Sequence, residues 1–243
     1  MSHPALLSVE NVTVRAGGRR LVDRVTFTAR AGEVTAVIGP NGAGKTSLLE
    51  AVVGVRPAEG EVRVSGEPLR SFSARARAFG YLPDHPELAP ETTVRTLVEH
   101  AQAHAQNTLD VLDLRRLLAI EPLLEQGAGL LSRGERQRVA LFSALVLGRP
   151  VAVLDEPFSA FDPFQLRDVL SAVRSALRTG TAVLASVHQL GDAEKIADRI
   201  LLMAEGRRVA FGTLAELRAQ VGSADLPLEA IFFELLARRT RAA

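Results

Sequence analysis

The sequence predicts an α/β fold: a mostly parallel sheet, an antiparallel β region ahead of it, and an α-helical segment inserted between two of its strands. Three observations carry this. Short apolar runs at 34–38, 151–154 and 181–187 have the composition of strands buried on both faces. The segments before residue 34 alternate apolar and polar instead, as half-buried antiparallel strands do. From about Pro86 to Leu147, β-branched alternation gives way to Leu- and Ala-rich stretches at helical spacing.

In chain order, residues 7–14 alternate, Gly17 and Gly18 mark a turn, and residues 25–29 alternate again before a second turn at 30–33. The run 34–38 leads into Gly39-Pro40-Asn41-Gly42-Ala43-Gly44-Lys45-Thr46, and residues 47–53 are helix formers without proline, stopped by Gly54 and Pro57. Residues 61–66 form another short strand and turn. In the helical segment, 94–105 and 109–120 show the spacing Val94, Leu97, Val98, Ala101. A strand at 151–156, a helix over 163–178 and a strand at 181–188 predict a right-handed parallel crossover. Residues 199–203 and 207–211 flank Glu205-Gly206 as a hairpin, and 226–239 read as an amphipathic helix with a basic end. The expected organisation is a single domain over 1–243. Residues 1–85 and 148–218 hold the β region and core, 86–147 the helical subdomain and 219–243 a helical tail.

Composition narrows the function. The chain has 243 residues, 47% of them hydrophobic and 23% charged, with a formal net charge of +1, which gives no bulk attraction to nucleic acid. No cysteine is present, so disulfides and thiolate metal sites are excluded. Residues 1–7 lack the basic start and apolar core of a signal peptide, and no run reaches the ~18 to 20 apolar residues that span a bilayer. A soluble, cytoplasmic protein is expected, with any membrane contact made through a partner. Lys45 and Lys195 are the only lysines, so a lysine at the end of a glycine loop is not a draw from composition.

Strand, glycine loop and helix is the context that a phosphate-binding loop requires. Gly39, Gly42 and Gly44 let successive N–H groups turn inward around phosphate oxygens, with Pro40, Asn41, Ala43 and Ser47 completing the loop and the start of its helix. Lys45 can reach the β- and γ-phosphates, and the Thr46 hydroxyl can take a position on Mg²⁺. Asp155 ends a buried strand, where parallel sheets bind ligands, and a carboxylate there can serve Mg²⁺. Glu156, one residue on, can act as general base on an attacking water. The alternatives are a chance glycine turn and a surface turn with two acids; the flanking strands and helix argue against both.

Leu131-Ser132-Arg133-Gly134-Glu135-Arg136-Gln137-Arg138-Val139 read alone is a capped helix start, Ser132 being the cap and Glu135 the capping-box acid. Beside the other motifs, it resembles the signature of the ATP-binding-cassette (ABC) family, usually LSGGQ, and the resemblance runs from about Leu6 to Leu217. It implies a P-loop NTPase core and ATP hydrolysis with Mg²⁺ by a dimer that sandwiches two ATP, the signature of one copy touching the γ-phosphate held by the other. The partner cassette would be a second copy or a homologue. Residues 159–162 resemble the D-loop, whose Asp162 would communicate across the dimer. His188 resembles the switch histidine that positions water with Glu156, and residues 80–84 occupy the Q-loop.

Three positions depart from the family pattern. The Q-loop glutamine is Asp84, still an oxygen ligand for Mg²⁺ but shorter and charged. The signature carries Arg133 and Glu135, the first expected to be tolerated if its side chain points outward, because Ser132 and Gly134 survive. The aromatic that stacks on adenine would fall near Ala16, and alanine cannot stack, so weaker or less base-selective binding is expected. The resemblance further implies polytopic membrane permease subunits as partners, no nucleic acid, and a place on the inner face of the cell membrane. Residues 80–94 and the tail look more like exporter than importer subunits, with short importer subunits the alternative. Rivals of another class are a soluble ABC ATPase acting on nucleic acid or ribosomes, and a degenerate cassette that only binds ATP.

Overall fold

The computed structural model describes residues 5–106 and 109–242; the reading of residues 1–4 and the part of the helical segment at 107–108 lie outside it. Two sheets organise the chain. Strands β1 (Ala5–Ala16) and β2 (Arg19–Arg30) pair antiparallel around the Gly17-Gly18 turn, and β4 (Glu59–Val64) and β5 (Glu67–Pro68) extend them to a four-stranded sheet ordered β2-β1-β4-β5. The second sheet, six-stranded, runs β10-β9-β3-β8-β7-β6, where β3 is Val34–Ile38, β6 Phe79–Leu82, β7 Val151–Leu154, β8 Ala182–Val187, β9 Arg199–Ala204 and β10 Arg207–Gly212. All its pairs are parallel except the β9–β10 hairpin. The central strand β3 therefore lies between β8 and β9, both from late in the chain.

Alternation along these strands divides the core in two. Val37, Val151, Val153, Leu184, Leu201 and Met203 face the antiparallel sheet and α1 (Lys45–Val53). Ala36, Ile38, Ala152, Leu154, Val183, Ala185 and Leu202 face the opposite way, in one continuous cluster with Leu114, Leu118, Ile120 and Val139 of the helical segment. That segment thus buries its apolar side against the sheet, and each fully buried Leu or Ile contributes about 1.5–3 kcal/mol of transfer free energy.

The segment holds α3 (Val94–Ala103), α4 (Val111–Leu117) and α5 (Arg133–Val146), after the short α2 (Phe72–Ala78). The crossover helix α6 spans Pro163–Arg178, as the pattern predicts, with proline at its first position. Helices α7 (Leu190–Ile196) and α8 (Leu214–Val221) precede the tail helix α9 (Leu228–Ala242). Helices α2, α7 and α8, of seven or eight residues each, are not predicted by the sequence reading.

One expectation is corrected: residues 80–84 do not start as a loop. Phe79–Leu82 is the edge strand β6, paired with β7, and the loop begins at Pro83. Gly80 is required there, since a Cβ would stand 2.1 Å from the Ala144 carbonyl oxygen of α5. No helix among the described residues is long and apolar enough to cross a membrane.

Candidate functional site

The glycine loop leaves β3, all five residues of which are buried, and turns into α1 at Gly44, whose φ of +94° is left-handed. A side chain is excluded at Gly44 for a second reason: its Cβ would lie 2.4 Å from the Leu21 carbonyl oxygen. Helix α1 has no side-chain cap, so its first N–H groups are left to a ligand, in the field of the helix N-terminus. Lys45 is 8% exposed and folds back along the loop, its Nζ donating to the Gly39 carbonyl at 2.9 Å and to that of Pro40 at 3.4 Å.

The β9–β10 turn closes the loop from behind. Gly206 N–H donates to the Ala43 carbonyl at 3.0 Å, and Asp23 N–H to the Gly206 carbonyl at 2.8 Å. Asp23 also holds Arg207 across the two sheets at 2.7 Å, with Arg20 at 3.3 Å and Arg24 at 3.5 Å. Burial alone would raise this carboxyl, but the three guanidinium groups outweigh it and hold Asp23 below its ordinary range.

In front of the loop is a cleft of about 310 Å³ lined by Asn41 to Ser47 together with Leu21, Asp84 and Glu156. Parallel pairing of β6 with β7 sets Leu82 opposite Leu154, which brings Asp84 to the level of Glu156 at the mouth. Asp155 is fully buried beneath them. Its Oδ1 accepts from the Ser186 hydroxyl at 2.5 Å, while Oδ2 makes no regular hydrogen bond. Burial raises the Asp155 carboxyl above its usual range; the Ser186 and Thr46 hydroxyls pull the other way, and Asp84 and Glu50 push it further up. A buried carboxylate with an orphaned oxygen, a threonine hydroxyl beside it and further carboxylates around it fits a divalent cation.

Glu156 sits in the left-handed region at φ +51°, a conformation that costs about 1 kcal/mol or more for a residue with a side chain. Its N–H donates to Ser186 Oγ at 2.8 Å, and its carbonyl accepts from the Ser159 hydroxyl at 3.1 Å and from the buried Gln137 at 3.5 Å. Burial raises the Glu156 carboxyl, against the charges of Lys45 and His188. The His188 ring, just past β8 and 55% exposed, places Nδ1 4.0 Å from Glu156 Oε1. Loop, two carboxylates and histidine are thus brought together. Tyr81, the one tyrosine of the chain, is half-buried close to Asp155, Glu50 and Asp84.

Of the other predicted residues, the signature segment and Asp162 stand outside this cleft. Ser132 caps α5 and forms the full capping box with Glu135: its hydroxyl accepts from Glu135 N–H at 3.3 Å, and its own N–H donates to Glu135 Oε2 at 2.9 Å. Those bonds hold the Glu135 carboxyl below its ordinary range. Arg133 is exposed, with Nη2 3.5 Å from Ser159 Oγ, and Gly134 approaches the Ala160 carbonyl. Asp162 caps α6, accepting from the N–H groups of Phe164 and Gln165 at 2.8 and 2.9 Å. Asp84 pairs with His85 at 3.5 Å. Ala16 ends β1 opposite Arg19, and it is Leu21, not Ala16, that lines the cleft.

Sequence reasoning missed Ser186, Gln137, Leu21 and the Asp23–Arg207 pair. Ser186 alone left a signal, a polar residue within an otherwise apolar strand. The others depend on register between distant segments.

The family model described as "ABC transporter" matches residues 22–159. The chain is 35% identical to the hemin import ATP-binding protein HmuV of Pseudomonas aeruginosa, over 96% of this chain and 95% of that protein. It is 35% identical to the Nod factor export ATP-binding protein I of Burkholderia lata, over 86% of this chain and 71% of that one. Against the Fe(3+) ions import ATP-binding protein FbpC of Streptomyces coelicolor, identity is 34% over 88% of this chain, which spans 64% of that relative's length. A solved structure titled "Structure of ATP binding subunit of ABC transporter" superposes with a TM-score of 0.87 at 28% identity, covering 95% of this chain and 99% of that one.

Proposed function

From the premise that the chain belongs to the ABC transporter family as an ATP-binding subunit, a class of ATPases, we propose that it hydrolyses Mg²⁺·ATP in the cleft between the glycine loop and Glu156. It does so as half of a two-cassette dimer that drives separate polytopic membrane permeases from the inner face of the membrane. The observation that carries the site is that Lys45 and Glu156 line one cleft, with Asp155 buried beneath it and Glu156 paired with His188 of the adjoining hollow.

The loop N–H groups and Lys45 bind and orient the phosphates. Thr46 and Asp155 would hold Mg²⁺, with Asp84 at the rim. When bound, that ion neutralises charge on the phosphate oxygens. Glu156, raised by burial, takes a proton from the attacking water, and His188 beside it orients both. The capped start of α5, at Ser132 and Gly134, is the surface offered to the second cassette's nucleotide, and Asp162 the residue placed to sense it. Residues 86–147 act as the helical subdomain that faces the permease.

For the direction of transport we read export, on the form of residues 80–94 and of the tail helix. Relatives named for import stand at 34% and 35% identity, and one named for export at 35%. Capture of the tagged chain from gently solubilised membranes tests both points. Recovery with a stoichiometric polytopic protein supports the assembly, and the class of that permease decides direction. Recovery with ribosomes or nucleic acid alone overturns it.

A further inference from the structure

We propose that Ser186 is a positioning residue for the Mg²⁺·ATP reaction, its one hydroxyl tying the metal-binding carboxylate of Asp155 to the backbone of the general base Glu156. The inference rests on the ATPase reading above and deepens it.

The pairing of Leu154 with Ala185 sets Ser186 at the height of Asp155, on the strand between the one that carries the glycine loop and the one that carries the carboxylates. Ser186 is fully buried, so its hydroxyl has no access to water. Its single proton goes to Asp155 Oδ1 at 2.5 Å, and its lone pair accepts the Glu156 N–H at 2.8 Å. The first bond occupies one carboxylate oxygen and so decides which is left over, Oδ2, the oxygen available to a cation. The second anchors the amide end of a residue with φ +51°, whose carbonyl end is already held by Ser159 and Gln137. Without Ser186 that left-handed turn is held at one end only. The Asp155 carboxylate is then free to rotate, and a part-buried N–H and a buried carboxylate oxygen both lose their partner. Ordinary strand packing does not need a hydroxyl at this position, where each neighbour in the strand is apolar.

Ser186→Ala and Ser186→Cys remove the strong hydrogen bond at little change of volume, while Ser186→Thr retains it. For each, Mn²⁺ affinity of the complex with a non-hydrolysable ATP analogue is read by electron paramagnetic resonance, beside metal-free analogue affinity, thermal unfolding and turnover. The expected result is Mn²⁺ affinity weakened by about tenfold in the Ala and Cys variants, with a turnover loss of the same order. Metal-free nucleotide affinity is unchanged, and Thr restores both. Wild-type-like Mn²⁺ affinity and turnover in Ala and Cys overturn the role. So does a fall in unfolding temperature that leaves the metal affinity of the folded protein intact, since that marks packing alone. A wild-type chain that binds no Mn²⁺·nucleotide overturns the ATPase reading itself, and the role of Ser186 with it.

Discussion

His188 Nδ1 stands 4.0 Å from Glu156 Oε1, and Glu156 in turn lines the cleft whose floor is the glycine loop. The two side chains come from adjacent strands, β8 and β7, and each extends past the end of its strand. Their proximity is a consequence of register.

Glu156→Gln keeps the shape of the side chain and removes its basicity. Steady-state ATP hydrolysis is expected to fall by at least about a hundredfold with ATP affinity retained. Turnover and equilibrium binding measured on the same preparation check this, and near-normal turnover removes Glu156 from the role.

Gly44→Ala places a Cβ 2.4 Å from the Leu21 carbonyl oxygen at a φ of +94°. Either the loop or β2 must shift, at a cost of about 2 kcal/mol or more, which lowers the unfolding temperature by roughly 4–8 °C. ATP affinity falls with it. Gly18→Ala, with nothing within 4 Å, is the control for conformational strain without a clash. Equal losses in the two variants would refute the steric part of the argument.

Asp23 predicts an acid-labile link between the two sheets. Its folded carboxyl lies below the ordinary value of about 3.9, so the stability it contributes is present above that value. That stability drains away as pH falls through the lower, folded value. Thermal unfolding followed from neutral pH into acid should show Asp23→Asn less stable than the wild type at neutral pH, the difference closing in acid. A gap that persists unchanged at the acid end would assign the effect to something other than this charge.

Ala16→Tyr supplies a ring at the turn between β1 and β2. Stacking on a base is worth about 1–3 kcal/mol, so ATP should bind at least about fivefold tighter. Unchanged affinity, measured by titration calorimetry, would show that the base lies elsewhere, for instance over Leu21, which lines the cleft.

The parts legible in the sequence are those that rest on local pattern. The strand 34–38, the loop that follows it, the crossover helix from Pro163 to Arg178 and the hairpin around Glu205-Gly206 all announce themselves by composition, turn residues and period. Asp155 and Glu156 were legible because an apolar strand runs straight into them. Ser186, a polar residue inside a buried strand, was visible only as an anomaly. The anchoring of Asp23 by Arg207 was not visible, because it joins the second strand to the tenth. Edge strand β6 was hidden because Gly80, placed there to admit α5, reads locally as a turn residue.

The position of β3 bears on how the protein is made. Both neighbours of that strand, β8 and β9, and the turn that bonds Ala43 through Gly206, come after residue 181. Contacts of such large sequence separation form slowly, and a ribosome releases the amino-terminal part first. A chain arrested before the eighth strand carries the whole glycine loop but neither of the strands that flank β3 in its sheet. Stable nucleotide capture is therefore expected near the end of translation, and it can serve as a readout that synthesis has passed that point.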